Sequence, residues 1–218
     1  MTTAKIAVLA TALLAVFTPL QAGEATRISC GNLVYGRNQT SVCFAETFLQ
    51  DAARETGLDI DQRFKRVKLA TDEVFSTPIC VFTGEGNFTL SQKERENLKR
   101  YLMNGGFVIV SPGCSDADWN RAFRRELAAV LPGSPLEEIP FTHELFSMVH
   151  TIKSLELKKS SGSTRLYGIN LNGRLALLYS PEGLNNASNA KGCCCCGGNE
   201  LRKSREINVN ALTYALLH

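Results

Sequence analysis

The chain has 218 residues, of which 24 are lysine or arginine and 21 are aspartate or glutamate, so its formal net charge is +3. The basic residues are spread along the chain and form no stripe, which argues against nucleic acid or an anionic membrane as a partner. A chain of this size suits one domain with a full hydrophobic core.

The first 22 residues have the features of a secretory signal peptide. Lys5 precedes an apolar run at positions 6–17, and the small residue Ala22 stands at the expected cleavage point. The run is roughly 12 residues long, whereas crossing a bilayer takes about 20. We therefore expect a periplasmic or extracellular protein with no membrane span after signal removal, and a single domain over 23–218. An uncleaved N-terminal anchor is the alternative.

Three elements are predicted in the first third of the mature chain. Segment 27–36 (RISCGNLVYG) has the composition of a strand, and 66–70 (RVKLA) of a second one. Between them, 42–57 (VCFAETFLQDAARETG) has a helical period that places Phe44, Phe48 and Ala52 inward.

The middle of the chain predicts a strand, a helix and another strand. Segments 77–84 (TPICVFTG) and 107–113 (FVIVSPG) are apolar and end in glycine, as buried strands do. Between them, Ser91 and Glu94 have the spacing of a capping box at a helix start. Because such a crossover returns to the same sheet, we expect strands near 79–83 and 107–111 to be adjacent and parallel.

The C-terminal half predicts two helices and a hairpin. A helix begins at Ser115 or Asp116, and two strands within 164–183 meet at an Asn-Gly turn. Segment 204–217 is the final helix, and 136–163 has no clear pattern. Together the elements predict an α/β fold, a three-layer doubly wound domain with a mainly parallel sheet.

Several blocks carry a family resemblance. The longest is FTGEGNFTLSQKERENLKRYLMNGGFVIVSPGCSD, and a W-x₃-F helix, LALLYSPEGL and INVNALTYAL follow it. Together they resemble the bacterial family catalogued as domain of unknown function 4159, over nearly all the mature chain. That family is placed among folds like the class I glutamine amidotransferases, which are flavodoxin-like. The resemblance implies this scaffold and no reaction, because the family has no established activity.

Cys114 is the candidate nucleophile, since amidotransferase-like folds place a cysteine on a strand-to-helix turn. A helix start beyond it would offer amides to an oxyanion. However, Pro112 and Asp116 stand where nucleophile elbows have small residues. The segment YSPEG also lacks the histidine that amidotransferases carry after a later strand, and a cysteine nucleophile needs a base. A structural or disulfide-bonded cysteine is the alternative.

A glycine-rich loop, TGEGNF, is the second candidate, because doubly wound folds bind ligands at the carboxyl edge of the sheet. The loop is neither a dinucleotide fingerprint nor a P-loop, so we expect no nucleotide and no cofactor. Asp116 and Asp118, at the neighbouring strand end, could join Glu85 around a metal or a polar ligand, with helix capping as their alternative role. The predicted ligand-binding residues are Gly84, Glu85, Gly86, Cys114, Ser115 and Asp116.

Four consecutive cysteines form the third candidate, a metal or disulfide site comprising Cys193, Cys194, Cys195 and Cys196. Export favours disulfides, although adjacent cysteines pair badly because their Cα atoms are too close. Cys193 could pair with Cys196, or members of the run could reach Cys30 or Cys43. We expect the run on a loop near the carboxyl edge, between the last strand and the final helix, with at least one member in a disulfide.

These observations favour an exported, non-catalytic domain that binds an unknown small molecule or protein. The first alternative is a hydrolase dependent on Cys114, which would need His143 or His150 close to its sulfur. The second is a metal-binding or redox protein that uses the run Cys193–Cys196.

Overall fold

The computed structural model describes residues 27–37, 40–191, 193 and 198–218. The predicted signal peptide and Cys194 to Cys196 lie outside the described residues. Within the described ranges, no helix combines the length and the apolar character that a membrane crossing requires.

The strands of the described chain are β1 Cys30–Val34, β2 Lys65–Lys68, β3 Ile79–Gly84, β4 Phe107–Pro112, β5 Glu137–Glu138, β6 Tyr167–Leu171 and β7 Arg174–Tyr179. They form one sheet in the order β2-β1-β3-β4-β7-β6-β5. The pairs from β2 through to β7 are parallel, whereas β6 pairs antiparallel with both β7 and β5. The fold is therefore α/β with a mixed sheet.

The α-helices of the described chain are α1 Thr47–Thr56, α2 Gln92–Met103, α3 Ala117–Val130 and α4 Ser204–Leu217. Along β3, Ile79 and Val81 belong to a hydrophobic cluster shared with α1 and α4. Cys80 and Phe82 belong to a second cluster, shared with α2 and α3. Because successive side chains of a strand point to opposite faces, one cluster lies on each face of the central strands.

The predicted unit β3-α2-β4 is confirmed. Strands β3 and β4 pair in parallel along their whole length, from Ile79 opposite Phe107 to Gly84 opposite Pro112. The Ser91 hydroxyl accepts from the backbone N–H of Glu94, and the Glu94 carboxylate accepts from the N–H of Ser91, so the capping box is complete.

Helix α1 starts five residues later than its apolar pattern predicts, at Thr47 instead of position 42. The N–H of Cys43 donates to the Ser41 hydroxyl, and the N–H of Ala45 donates to the carbonyl of Asn185. These two contacts hold positions 43–45 as a loop. Phe44 is buried, as predicted, but it is not helical.

Cys30 and Cys80 should be chemically inert in the native protein. Both are fully buried, and burial raises the pKa of both thiols. Since the thiolate is the reactive form, we expect neither to be alkylated by iodoacetamide in the folded, reduced protein, and both to be alkylated in denaturant. Peptide mass spectrometry measures this. Rapid alkylation of either thiol in the native state would contradict its place in the core.

Candidate functional site

The strands β1, β2, β3, β4 and β7 are parallel, so the loops that follow them all leave the sheet at one edge. The loops after β1, β3, β4 and β7 each contribute one residue to a single group of potential metal ligands. Cys43 follows β1, Glu85 follows β3, Cys114 follows β4, and Cys193 follows β7. We call these four residues the edge cluster.

The ligand atoms of the edge cluster are close together. The sulfurs of Cys43 and Cys114 and a carboxylate oxygen of Glu85 all lie within 4.8 Å of one another. Cys43 is buried, Cys114 is half-buried and Glu85 is exposed. Cys193 adds its sulfur through a disulfide bond to Cys43, with a Cα–Cα distance of 4.8 Å. Three sulfurs and one carboxylate therefore meet at this edge.

Cys43 is positioned by polar contacts within its own loop. The Thr40 hydroxyl donates to the Asn32 side-chain oxygen at 2.7 Å, which ties the loop to β1. The Asn32 amide in turn donates to the carbonyl of Ser41 at 3.4 Å. Since the Ser41 hydroxyl accepts from the N–H of Cys43 at 3.0 Å, the cysteine backbone is held next to the strand end.

Glu85 reaches the edge cluster over a glycine. A Cβ atom at Gly113 would lie 2.7 Å from Cγ and 2.8 Å from Oε1 of Glu85, so only glycine leaves room for this side chain. Asp116 holds the loop from the other side, because its carboxylate accepts from the N–H of Gly86 at 3.2 Å and from that of Trp119 at 2.8 Å. Asp116 is therefore the N-cap of α3 and fixes the loop of Glu85.

Cys114 and Ser115 have left-handed backbones, with φ of 49° and 58°. Such conformations cost side-chain-bearing residues about 1 kcal/mol or more each and are common at functional sites. Two contacts hold this turn. The Ser115 hydroxyl donates to the carbonyl of Glu182. A Cβ atom at Gly198 would lie 2.6 Å from the nitrogen of Ser115, so the loop after β7 packs directly against the turn.

The predicted ligand-binding residues do meet at one edge. Glu85 and Cys114 belong to the cluster, while Gly84, Gly86, Ser115 and Asp116 form the loops around it. Of the predicted cysteine run, Cys193 joins the cluster and is disulfide-bonded as expected; its three neighbours lie outside the described residues. Asp118 is exposed and pairs with Arg121 instead. Cys43 was considered only as a disulfide partner, and its place in the cluster was missed.

All three histidines lie at the opposite, amino edge of the sheet. Nε2 of His150 is 2.7 Å from the Glu55 carboxylate, at the C-terminal end of α1. The rings of His143 and His218 contact that of Tyr214, whose hydroxyl accepts from a backbone N–H at the start of β7. The edge cluster therefore has no histidine beside it to act as a base.

No curated protein matches the chain. The family model described as Domain of unknown function (DUF4159) matches residues 32–216, a range that contains the whole edge cluster. The resemblance read from the sequence is thus confirmed, and the chain belongs to the DUF4159 family.

Proposed function

We propose that this domain binds a soft transition-metal ion through the edge cluster when the Cys43–Cys193 disulfide is reduced. One observation carries the proposal: the ligand atoms of Cys43, Glu85 and Cys114 lie within 4.8 Å of one another, and the sulfur of Cys193 is bonded to that of Cys43. Thiolate ligands select ions such as Zn²⁺ and Cu⁺. Three thiolates and one carboxylate match a four-coordinate Zn²⁺ ion in number and type.

The spacing of the cluster also suits such an ion. With Zn–S bonds of about 2.3 Å, the ligand atoms of a tetrahedral site lie about 3.7 Å apart. Separations of at most 4.8 Å therefore need only about 1 Å of closure to meet one ion. The ligands must be deprotonated to bind, and the negative groups of Cys43, Glu85 and Cys114 at this distance repel one another unless a cation lies between them.

The proposal makes the chain a non-catalytic binding domain. A cysteine hydrolase needs a base within hydrogen-bond reach of its nucleophile, whereas His143, His150 and His218 all make contacts at the other edge of the sheet. A site at the carboxyl ends of parallel strands supports a doubly wound, amidotransferase-like scaffold for this domain. The disulfide supports export, because disulfides persist in oxidising compartments.

Zinc titration of the reduced, oxygen-free protein tests the proposal, with a chromophoric chelator as competitor. We expect one tightly bound Zn²⁺ per chain. Cys114→Ser should weaken binding about 100-fold and Glu85→Gln about tenfold, because each removes one direct ligand.

Two control variants each remove one group of the same chemical type from outside the edge cluster. Asp118→Asn removes an exposed carboxylate near the cluster, and Cys30→Ala removes a buried cysteine on β1; neither should change zinc affinity. Zinc binding that survives Cys114→Ser but disappears when Cys194, Cys195 and Cys196 are replaced by serine would mean that the cysteine run alone holds the metal, and the proposal would be wrong.

A further inference from the structure

The sulfur of Cys43 can form a disulfide or bind a metal ion, but it cannot do both at once. Its sulfur is bonded to that of Cys193, and the same sulfur lies within 4.8 Å of the ligand atoms of Glu85 and Cys114. A cysteine binds a metal ion as its thiolate, and a sulfur in a disulfide is not a thiolate. Oxidation and metal binding therefore compete for the same two sulfurs.

We infer that the Cys43–Cys193 disulfide is the redox gate of the metal site: its reduction admits the ion, and its formation expels the ion. The inference rests on the function proposed above. In the reducing step, the S–S bond breaks and each sulfur gains one electron and one proton from a dithiol reductant, which becomes a disulfide. The metal then replaces the thiol protons. A disulfide oxidant reverses both steps.

Contacts other than the disulfide hold the chain near both of its cysteines. Cys43 stays against β1, because the Ser41 hydroxyl accepts its backbone N–H at 3.0 Å. On the other side, Gly198 packs against Ser115, and the buried Glu200 carboxylate pairs with Lys158 at 3.1 Å. The loop that carries Cys193 thus has anchors other than the disulfide.

A second contact network fixes the far end of this loop. The Glu200 carboxylate accepts the N–H of Ala187, and the N–H of Leu201 donates to the carbonyl of Gly183. The carbonyl of Glu200 also accepts from the N–H of Lys158 at 2.8 Å. None of these bonds involves a cysteine, so changing the redox state of the gate does not break them.

The coupling between metal and disulfide must be reciprocal. If Zn²⁺ binds only the reduced form, then zinc at 100 times its Kd raises the ratio of reduced to oxidised protein about 100-fold. For a two-electron couple, this corresponds to an increase of about 60 mV in the midpoint potential. The gate therefore predicts a measurable potential shift in addition to a change in affinity.

The experiment uses the full chain with Cys194, Cys195 and Cys196 replaced by serine, so that only the edge cluster responds to oxidant. Zinc affinity is measured for the reduced and the oxidised protein, and the midpoint potential is measured in glutathione buffers with and without Zn²⁺. We expect at least 100-fold weaker zinc binding after oxidation, release of one Zn²⁺ per two thiols lost, and a potential raised by about 60 mV at 100 times the Kd.

Two variants test whether the oxidant dependence of zinc binding comes from the Cys43–Cys193 disulfide. In Cys43→Ser the remaining zinc binding should no longer depend on oxidant, whereas Glu85→Gln should keep the disulfide and shrink the zinc-dependent potential shift. Equal zinc affinity in the oxidised and reduced proteins overturns the gate and leaves the metal site standing. Absence of zinc binding in the reduced protein overturns the metal site and the gate together.

Discussion

Replacing Cys43 by alanine is expected to lower the free energy of unfolding of the oxidised, metal-free protein by about 4–5 kcal/mol. The disulfide joins residues 150 positions apart, and cross-linking so long a segment restricts the unfolded chain strongly. The loop-entropy relation gives about 5 kcal/mol for this length, from which any native strain is subtracted. Urea unfolding in a chelating buffer without reductant measures the loss.

The partner cysteine supplies the control for this prediction. Cys193→Ala removes the same bond, so it should cost about as much, and the double variant should cost little more than either single one. Reduction of the unmodified protein should bring its stability down to that of the variants. A double variant that loses twice as much as each single variant would show that the two cysteines stabilise the fold separately.

Replacing Gly84 by alanine is expected to cost roughly 3 kcal/mol or more, through overpacking beneath the edge cluster. A Cβ atom there would lie 2.7 Å from Nε1 of Trp119 and closer still to the Tyr35 hydroxyl. These two rings are fully buried. The Nε1–H of Trp119 donates a hydrogen bond to the Tyr35 hydroxyl at 2.6 Å, and that hydroxyl donates to the carbonyl of Thr83. Neither ring has room to withdraw.

Gly162→Ala is the matched control, because its nearest neighbouring atom would be 3.8 Å from the added methyl group. It should change the free energy of unfolding by less than about 0.5 kcal/mol. Adding Tyr35→Phe to Gly84→Ala should cost less than the sum of the two single changes, since it removes the closest atom. Denaturant unfolding that places Gly84→Ala within 0.5 kcal/mol of the unmodified protein would rule out the steric account.

The parts of the fold that sequence reasoning predicted well are those with local signals. The capping box at Ser91 and the N-cap at Asp116 mark two helix starts within a few residues of sequence. The hairpin between β6 and β7 follows from Asn172 and Gly173, whose φ values of 53° and 82° are those that this dipeptide tolerates. The start of α1 was missed because distant residues, including Asn185, hold that loop.

The edge cluster was predictable only in part, because local sequence signals do not show where distant residues hold a loop. Glu85 and Cys114 directly follow apolar strands, so the rule that ligands bind at strand ends points to both. Cys43 follows β1 after a loop whose course depends on Asn32 and Ser41, and no local pattern shows where that loop places its sulfur. The disulfide partner of Cys193 also depends on which strands are neighbours, which the order of elements leaves open.

The origin of the cluster in four separate loops has a consequence for the order of assembly. The four groups approach one another only after β1, β3, β4 and β7 have paired, so no stretch of unfolded chain contains the complete ligand set. Zinc fingers behave differently, because their metal drives folding. At the proposed site, the sheet must fold before an ion can bind. The geometry of the finished edge, and not the order in which ligands emerge during synthesis, would then select the metal.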